Sequence, residues 1–126
     1  MQLLADTGTE HGTCAGLGFI HGRVERLALP ESGDFRLPHI GWNDLNIRRH
    51  DGLYVDIADG ENFYFVHSYA FIADDPAVVS ATCEHGIEFC ASVESGPISA
   101  VQFHPEKSHR AGLKLLANWL RKVVSA

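Results

Sequence analysis

The chain has few cysteines, few basic residues and no long apolar run. Its 3 cysteines are an odd and sparse set, so free thiols are expected rather than a disulfide framework. Only 10 lysines and arginines stand against 16 acidic residues, and they are scattered, which argues against a nucleic-acid partner. No apolar run approaches the roughly 20 residues of a membrane span, and the first residues lack a signal-peptide pattern. We therefore expect a cytoplasmic protein without a membrane partner.

The composition is that of one ordinary globular domain. The chain has 126 residues, of which 45% are hydrophobic and 21% charged, which is enough to bury a core. No repeat, linker or low-complexity segment divides the sequence, so residues 1–126 are taken as a single domain.

Local patterns predict an α/β chain in which strands precede one long helix. A helix-favouring start is followed by a glycine-rich loop over residues 8–18. A short helical turn is predicted at residues 52–57, and residues 37–47 mix aromatic, glycine and amide side chains in a way that suits a functional surface better than a core strand. Strands are predicted over residues 19–29, 62–72, 78–83, 87–93 and a buried 98–103.

The last predicted element is an amphipathic helix that runs to about residue 124. Ser108 is the predicted N-cap. The apolar positions with helical spacing are Leu113, Leu116, Leu120 and Val123.

The strongest chemical pattern lies in residues 100–108, where an apolar run leads into His104, Pro105 and Glu106. Proline forces the residue before it into an extended conformation, and residues two apart in an extended chain face the same side. We therefore expect the Glu106 carboxylate beside the His104 imidazole, as the base and orienter of a catalytic triad. A surface loop with an ion pair is the alternative, although α/β sheets place active sites where a strand ends before a helix.

No nucleophile is apparent for this pair. Cys14 lies in Gly-Thr-Cys-Ala-Gly, which fits the letters of a nucleophile elbow. The elbow requires a strand before the nucleophile and a helix after it, and the flanking residues predict neither. Cys83 and Cys90 lie in strand-like runs and are predicted to be buried hydrophobic residues.

The 8 histidines raise the question of a metal, but they show no helical His-x-x-x-His pair and no His/Cys ligand spacing. No metal and no cofactor are predicted. Among the aromatic residues, Phe63 and Tyr64 are interpreted as core, whereas Trp42 and Tyr69 are candidates for a binding edge.

Taken together, the motifs resemble those of the glutaminase subunits of imidazole glycerol phosphate synthase, a family of class I glutamine amidotransferases. Residues 101–106 are typical of the whole class. The narrower motifs lie at residues 8–12, 16–18, 37–43, 64–69 and 107–108, and the resemblance covers essentially the whole chain.

The resemblance implies a flavodoxin-like class I amidotransferase fold whose N-terminal strands are missing here. It implies a Cys-His-Glu triad in which His104 is the base and Glu106 the orienter. The implied reaction is hydrolysis of L-glutamine, with ammonia passed to the β/α barrel of a cyclase subunit in histidine biosynthesis. The implied contacts with glutamine are Gln2, Glu10, His67, Ser68 and Tyr69, and the surface that faces the cyclase comprises Trp42, His39 and Asn43.

In this family the nucleophile elbow leads directly into Met-Gln-Leu-Leu, which residues 1–4 match. Residue 1 is then expected to follow the elbow, and the chain alone is expected to be inactive. Three alternatives stay open: a non-catalytic module that docks on the cyclase through the Trp42 region, a fragment whose exposed sheet edge self-associates, and another class I amidotransferase, such as the glutaminase part of anthranilate or GMP synthase.

Overall fold

The computed structural model describes residues 1–125, which form nine strands, four short 3-10 helices and one α-helix. The 3-10 helices span Gln2–Leu4, Gly52–Tyr54, Pro76–Val78 and Pro105–Lys107, and the α-helix α1 spans His109–Val124. The strands are β1 (Thr7–Gly8), β2 (Cys14–Ala15), β3 (Gly22–Arg26), β4 (His39–Ile47), β5 (Asn62–His67), β6 (Tyr69–Ala73), β7 (Val79–Glu84), β8 (Glu88–Ser95) and β9 (Ile98–Val101).

The strands form two sheets. The order is β2-β1-β3-β6 in the four-stranded sheet and β5-β4-β7-β8-β9 in the five-stranded sheet. Strands β1 and β3 pair in parallel, whereas the neighbours in the five-stranded sheet pair antiparallel. Strands and helix together confirm the α/β class. None of the helices in residues 1–125 is long and apolar enough to cross a membrane.

Strand β4 corrects the interpretation of residues 37–47, because residues 39–47 form a central strand paired with β5 on one side and β7 on the other. Side chains alternate between the two faces of a strand. His39 and Leu45 are buried, at 4% and 0% exposure, while Ile40 and Trp42 on the opposite face are 59% and 47% exposed. The segment therefore serves both as a core strand and as a surface.

The single strand predicted over residues 62–72 is wrong. The chain forms two strands, β5 and β6, that belong to different sheets. Between them the Ser68 carbonyl accepts the backbone N–H of Leu27 at 3.0 Å, and β6 then pairs with β3. This change of sheet places His67, Ser68 and Tyr69 at the junction of the two sheets.

The predicted hairpin is confirmed, because β7 and β8 pair antiparallel across a turn that Glu84 and Glu88 close. Cys83 and Cys90 on these strands are buried, as expected. Burial raises the pKa of each of these thiols to about 12. The glycine-rich loop is flanked by the two short strands β1 and β2 rather than being free of regular structure.

The main core lies between the five-stranded sheet and the helices, and Phe63 and Phe65 are fully buried in it. Phe103 joins them, with its ring 4.4 Å from the ring of Phe63. Tyr64 is wrongly assigned to the core, since it is only partly buried on the opposite face of β5. A second core, around Val24, Phe71 and Val93, lies beneath the four-stranded sheet.

Strand β9 is shorter and less buried than predicted. It ends at Val101, and all of its residues are only partly buried because it lies at the edge of the five-stranded sheet, paired with β8.

Helix α1 has the predicted length, but its expected apolar face is not the one that packs. The buried positions are Gly112, Leu115 and Asn118. Leu113 and Leu120 are 67% and 55% exposed. The amide of Asn118 donates to the carbonyls of Leu53 and Val55, both at 2.8 Å, so a polar contact with a distant 3-10 helix determines which face is buried.

Candidate functional site

His104 is held in place by the residue before it and by a backbone hydrogen bond to β5. Phe103 is anchored in the core, and the His104 N–H donates to the Tyr64 carbonyl at 2.9 Å. Pro105 follows, and His104 has the extended backbone that this proline predicts, with φ −101° and ψ 96°. The imidazole is therefore presented at a defined position just after β9.

Glu106 lies beside His104, with the imidazole Nδ1 2.7 Å from the carboxylate Oε1. The reason differs from the one expected, because Glu106 belongs to the 3-10 helix Pro105–Lys107 and not to an extended segment. The pKa of Glu106 lies below its usual value, first because its own backbone N–H donates to the carboxylate and second because His104 does. The carboxylate thus stays ionised and accepts the Nδ1 proton, so Nε2 is the ring nitrogen that is left for a second proton-transfer partner.

A cavity of about 570 Å³ opens beside His104. Its wall includes all five residues that the resemblance implies as glutamine contacts, together with one polar residue that was not predicted. These residues are Gln2, Glu10, His67, Ser68, Tyr69 and Gln102. Residues from the first and the last third of the chain are thereby brought to one cavity. Glu106 is not part of the wall, which suits a residue that acts through His104.

Gln102 is the residue that sequence reasoning missed. The side-chain amide of Gln2 donates to the Gln102 Oε1 at 2.9 Å and to the Tyr69 carbonyl at 3.0 Å. These two bonds fix the orientation of the Gln2 side chain against the cavity. The available clue was a polar residue inside the otherwise apolar run before His104.

His67 lines the cavity, but its ring is already occupied by other protein groups. The imidazole is 7% exposed. Its Nδ1 lies 2.9 Å from the Tyr69 carbonyl, and its Nε2 lies 2.9 Å from Nδ1 of His39. Both nitrogens are thus used within the protein, so His67 shapes the cavity rather than offering a free ring nitrogen to a ligand.

Cys14 is exposed and lies in β2, which pairs antiparallel with β1. It faces a different cavity, of about 250 Å³, that shares Gln2 and Glu10 with the cavity at His104. His104 is not part of that second wall. A two-residue strand in a hairpin is not the strand-to-helix turn of a nucleophile elbow.

The expected partner surface is only partly exposed. Trp42 lies on the outer face of β4, where its ring stacks on that of His109 at 4.9 Å. Ile40 and Val66 are exposed on the same face, and Tyr64 packs beside Trp42. We call Ile40, Trp42, Tyr64 and Val66 the outer apolar patch.

The structure does not place His39 and Asn43 in that patch. They occupy odd-numbered positions of β4, and strand alternation turns them to the opposite face from Trp42. His39 is buried, so this chain offers no His39 surface to a partner.

Metal ligands are not assembled at this site. Within residues 1–125, no group of three or more His, Cys, Asp or Glu side chains could hold a metal ion.

Comparison with known proteins identifies the class. The family model described as Glutamine amidotransferase class-I matches residues 1–123. The chain therefore belongs to the class I glutamine amidotransferase family, in agreement with the resemblance of its motifs.

Two similar curated relatives carry the same name. The chain is 45% identical over 122 residues to the imidazole glycerol phosphate synthase subunit HisH of Geobacter sulfurreducens, an alignment that covers 94% of this chain and 58% of that protein. It is 43% identical over 120 residues to the protein of the same name in Pelagibacter ubique, covering 95% of this chain and 57% of the relative. The chain thus spans less than two thirds of the length of these relatives.

A solved structure agrees on the fold. A protein from Thermoplasma acidophilum, described as part of a GMP synthase, superimposes with a TM-score of 0.65 at 17% identity, over 82% of this chain and 49% of that one. At this identity the likeness concerns the fold alone.

Proposed function

We propose that the chain is part of the glutaminase subunit of an imidazole glycerol phosphate synthase, which hydrolyses L-glutamine and passes ammonia to a cyclase partner in histidine biosynthesis. The observation that carries this proposal is the His104–Glu106 pair at 2.7 Å, with His104 on the same cavity wall as Gln2, Glu10 and Tyr69. The similarity to HisH subunits supports this choice among class I amidotransferases.

In the proposed reaction, His104 moves the protons. Its Nε2 takes the proton of a cysteine thiol as the thiolate attacks the glutamine carboxamide, and it later gives a proton to the departing ammonia. Glu106 holds the Nδ1–H tautomer and stabilises the imidazolium that forms in between. A glutamyl thioester results, and water then hydrolyses it to glutamate.

The thiol for this step is not offered by any of the three cysteines of the chain. Cys83 and Cys90 are buried within strands, and Cys14 lies in a hairpin that faces a second cavity. We therefore propose that the 126-residue chain binds glutamine at the His104 cavity without releasing ammonia.

The test is a pair of measurements on the full chain. Calorimetry is expected to show glutamine binding that Gln2→Ala weakens, and an assay is expected to detect no ammonia. The matched control for binding is Asn46→Ala, which removes an amide that is exposed on the outer face of β4, away from the cavity, and should leave the affinity unchanged. Ammonia release that Cys14→Ser abolishes would overturn the assignment of the thiol.

The partner surface is proposed to be the outer apolar patch. Four neighbouring apolar or aromatic side chains on one sheet face are the kind of surface that an interface buries. We expect Trp42→Ala to weaken binding to a cyclase subunit by about tenfold or more, as for a central interface tryptophan. The control is Trp119→Ala, because Trp119 is similarly exposed, at 39%, but lies on α1. Equal effects of the two substitutions, or no binding at all, would contradict the proposed interface.

A further inference from the structure

Two buried histidines form a continuous line of hydrogen bonds with an asparagine and a backbone carbonyl. Asn43 Nδ2 lies 3.2 Å from His39 Nε2, His39 Nδ1 lies 2.9 Å from His67 Nε2, and His67 Nδ1 lies 2.9 Å from the Tyr69 carbonyl oxygen. His39 and His67 are directly opposite each other in the β4–β5 register. We call these four groups the histidine relay.

The direction of every bond in the relay follows from its last member. The Tyr69 carbonyl only accepts, so His67 carries a proton on Nδ1, and burial, which lowers the pKa of His67, favours the neutral ring with a bare Nε2. His39 must then donate from its own Nδ1, which leaves its Nε2 as an acceptor. As neutral rings, the two histidines are therefore in the same Nδ1–H tautomer.

Asn43 completes this order at the other end. Its Oδ1 accepts the backbone N–H of Asp44 at 2.8 Å, which orients the side-chain amide so that Nδ2 faces His39. The same Nδ2 also donates to the Glu84 carbonyl at 2.8 Å. The Asn43 amide thus donates to the unprotonated Nε2 of His39, and each hydrogen bond in the relay joins one donor to one acceptor.

The rings are held in place by stacking. His39 packs between Phe65, with ring centroids 4.9 Å apart, and His85, with centroids 4.3 Å apart. His85 comes from the β7–β8 turn and bonds through Nε2 to the Arg36 carbonyl at 2.8 Å, so it is outside the line of hydrogen bonds. Burial lowers the pKa of both relay histidines, in keeping with two neutral rings.

The relay ends at the candidate site. The Tyr69 carbonyl that accepts from His67 also accepts from the amide of Gln2 at 3.0 Å. Gln2 and Tyr69 both line the cavity beside His104. The other end, Asn43, is the chain neighbour of Trp42 in the outer apolar patch.

We propose that His39 is a positioning residue: acting through His67, it fixes the Tyr69 carbonyl and with it the Gln2 side chain at the cavity wall, and it links this wall to the strand that carries Trp42. The relevance of this link to glutamine hydrolysis rests on the proposed function, whereas the order of the hydrogen bonds is independent of that function.

The first test reads the tautomers in the full chain by NMR with isotope-labelled histidine, near neutral pH. Both His39 and His67 are expected as the Nδ1–H form. An Nε2–H tautomer at either ring would overturn the relay, since the hydrogen bonds could not then run in this order.

The second test breaks the relay without removing the stacked ring. In His39→Phe the Nε2 of His67 loses its donor, so we expect the signal of the His67 ring to shift and the Gln2 side-chain amide protons to exchange faster with water. His85→Phe is the matched control, because it changes a stacked histidine outside the relay and should leave both signals unchanged. A folded His39→Phe protein in which Gln2 is unaffected would contradict the proposal.

Asn43→Asp provides a variant that keeps the side-chain shape. A carboxylate facing His39 Nε2 favours a proton there, so the measured pKa of His39 should rise by about one unit or more from its low value. An unchanged pKa would contradict the contact.

Glutamine binding separates the two proposals. If the chain binds glutamine, His39→Phe should weaken binding by about tenfold, the effect of losing one hydrogen bond to a buried polar group. His39→Asn, which keeps an N–H donor near the Nδ1 position, should restore part of it. If the unmodified chain does not bind glutamine, the proposed function fails, while the tautomers and the exchange of Gln2 still decide the relay.

Discussion

The hydroxyl of Ser108 donates to the carbonyl oxygen of His104 at 2.7 Å. Its oxygen also accepts the backbone N–H of Tyr64 at 3.0 Å, and the residue is 1% exposed. Ser108 precedes α1 as predicted, but its side chain makes no cap bond to the helix. One buried hydroxyl instead connects the start of α1 to β5 and to the candidate base.

Ser108→Ala should therefore destabilise the fold more than loss of a cap alone would suggest. It leaves the partly buried Tyr64 N–H without its acceptor, which costs about 1–3 kcal/mol of unfolding free energy. Urea denaturation measures this. The control is Ser125→Ala at the exposed end of α1, where a change within about 0.5 kcal/mol is expected. Similar losses for the two variants would contradict the role given to Ser108.

Gly52 offers a test of a close approach to a buried carboxylate. Its φ is +53°, and a Cβ atom there would collide with Oε1 of Glu94. That oxygen already accepts from the Leu53 N–H at 3.1 Å and from Lys122 Nζ at 3.2 Å. Gly52→Ala should thus combine backbone strain with displacement of a buried, hydrogen-bonded carboxylate.

Gly96 separates the two costs, because its φ is +56° but no atom lies within 4 Å of a Cβ placed there. Gly96→Ala should cost only the backbone strain of about 1 kcal/mol. Gly52→Ala should lower the unfolding free energy by about 2 kcal/mol more than this. Equal losses in thermal or urea unfolding would show that the Glu94 contact is unimportant.

The stability of the fold should fall as the pH is lowered from neutral. Burial, then His67 and His85, lower the pKa of His39 from 6.5 to about 4. Between these two pH values the unfolded chain therefore binds a proton at His39 that the folded chain does not bind. The stabilisation from the neutral, buried His39 is fully present above about pH 6.5. As the pH falls toward 4, the free energy of unfolding decreases by about 3 kcal/mol.

Urea denaturation across this range measures the effect, and His67 adds to it in the same direction because its pKa is also lowered. The comparison with His39→Phe isolates the His39 share, since carboxylates titrate in both proteins. Parallel pH profiles for the two proteins would show that His39 does not titrate in this way.

The thiols should differ sharply in reactivity. Cys14 is exposed, whereas burial raises the pKa of Cys83 and Cys90 to about 12. The thiolate is the reactive form, so a thiol reagent at mildly alkaline pH should label Cys14 quickly and the other two only after unfolding. Cys14→Ser should remove the fast phase. Rapid labelling of all three thiols in the folded protein would contradict the placement of Cys83 and Cys90.

Several features could be predicted because they depend on near neighbours in the chain. Pro105 restricts His104, and the Glu84–Glu88 turn closes the β7–β8 hairpin; both are confirmed. The extent of α1 follows from its periodicity. The motifs also sufficed to indicate the amidotransferase family, since they are specific combinations of residues at fixed spacing.

Other features depend on distant contacts and were missed. The break at Ser68 arises because Leu27 bonds to its carbonyl while β6 pairs with β3. The buried face of α1 is set by Asn118, whose amide bonds to the carbonyl of Leu53, 65 residues earlier in the chain. Neither partner can be read from the pattern around these residues.

The candidate site shows the same division between local and distant causes. The adjacency of His104 and Glu106 could be predicted from two residues and one proline, although a 3-10 turn rather than an extended chain brings the side chains together. The contact of Gln2 with Gln102 joins positions 100 apart, and the burial of His39 follows from its pairing with His67. Residue type and spacing thus determine the chemistry available to this protein, whereas strand pairing and the closing of its two sheets determine which of those residues meet, because long-range contacts are chosen by the packing of the whole chain.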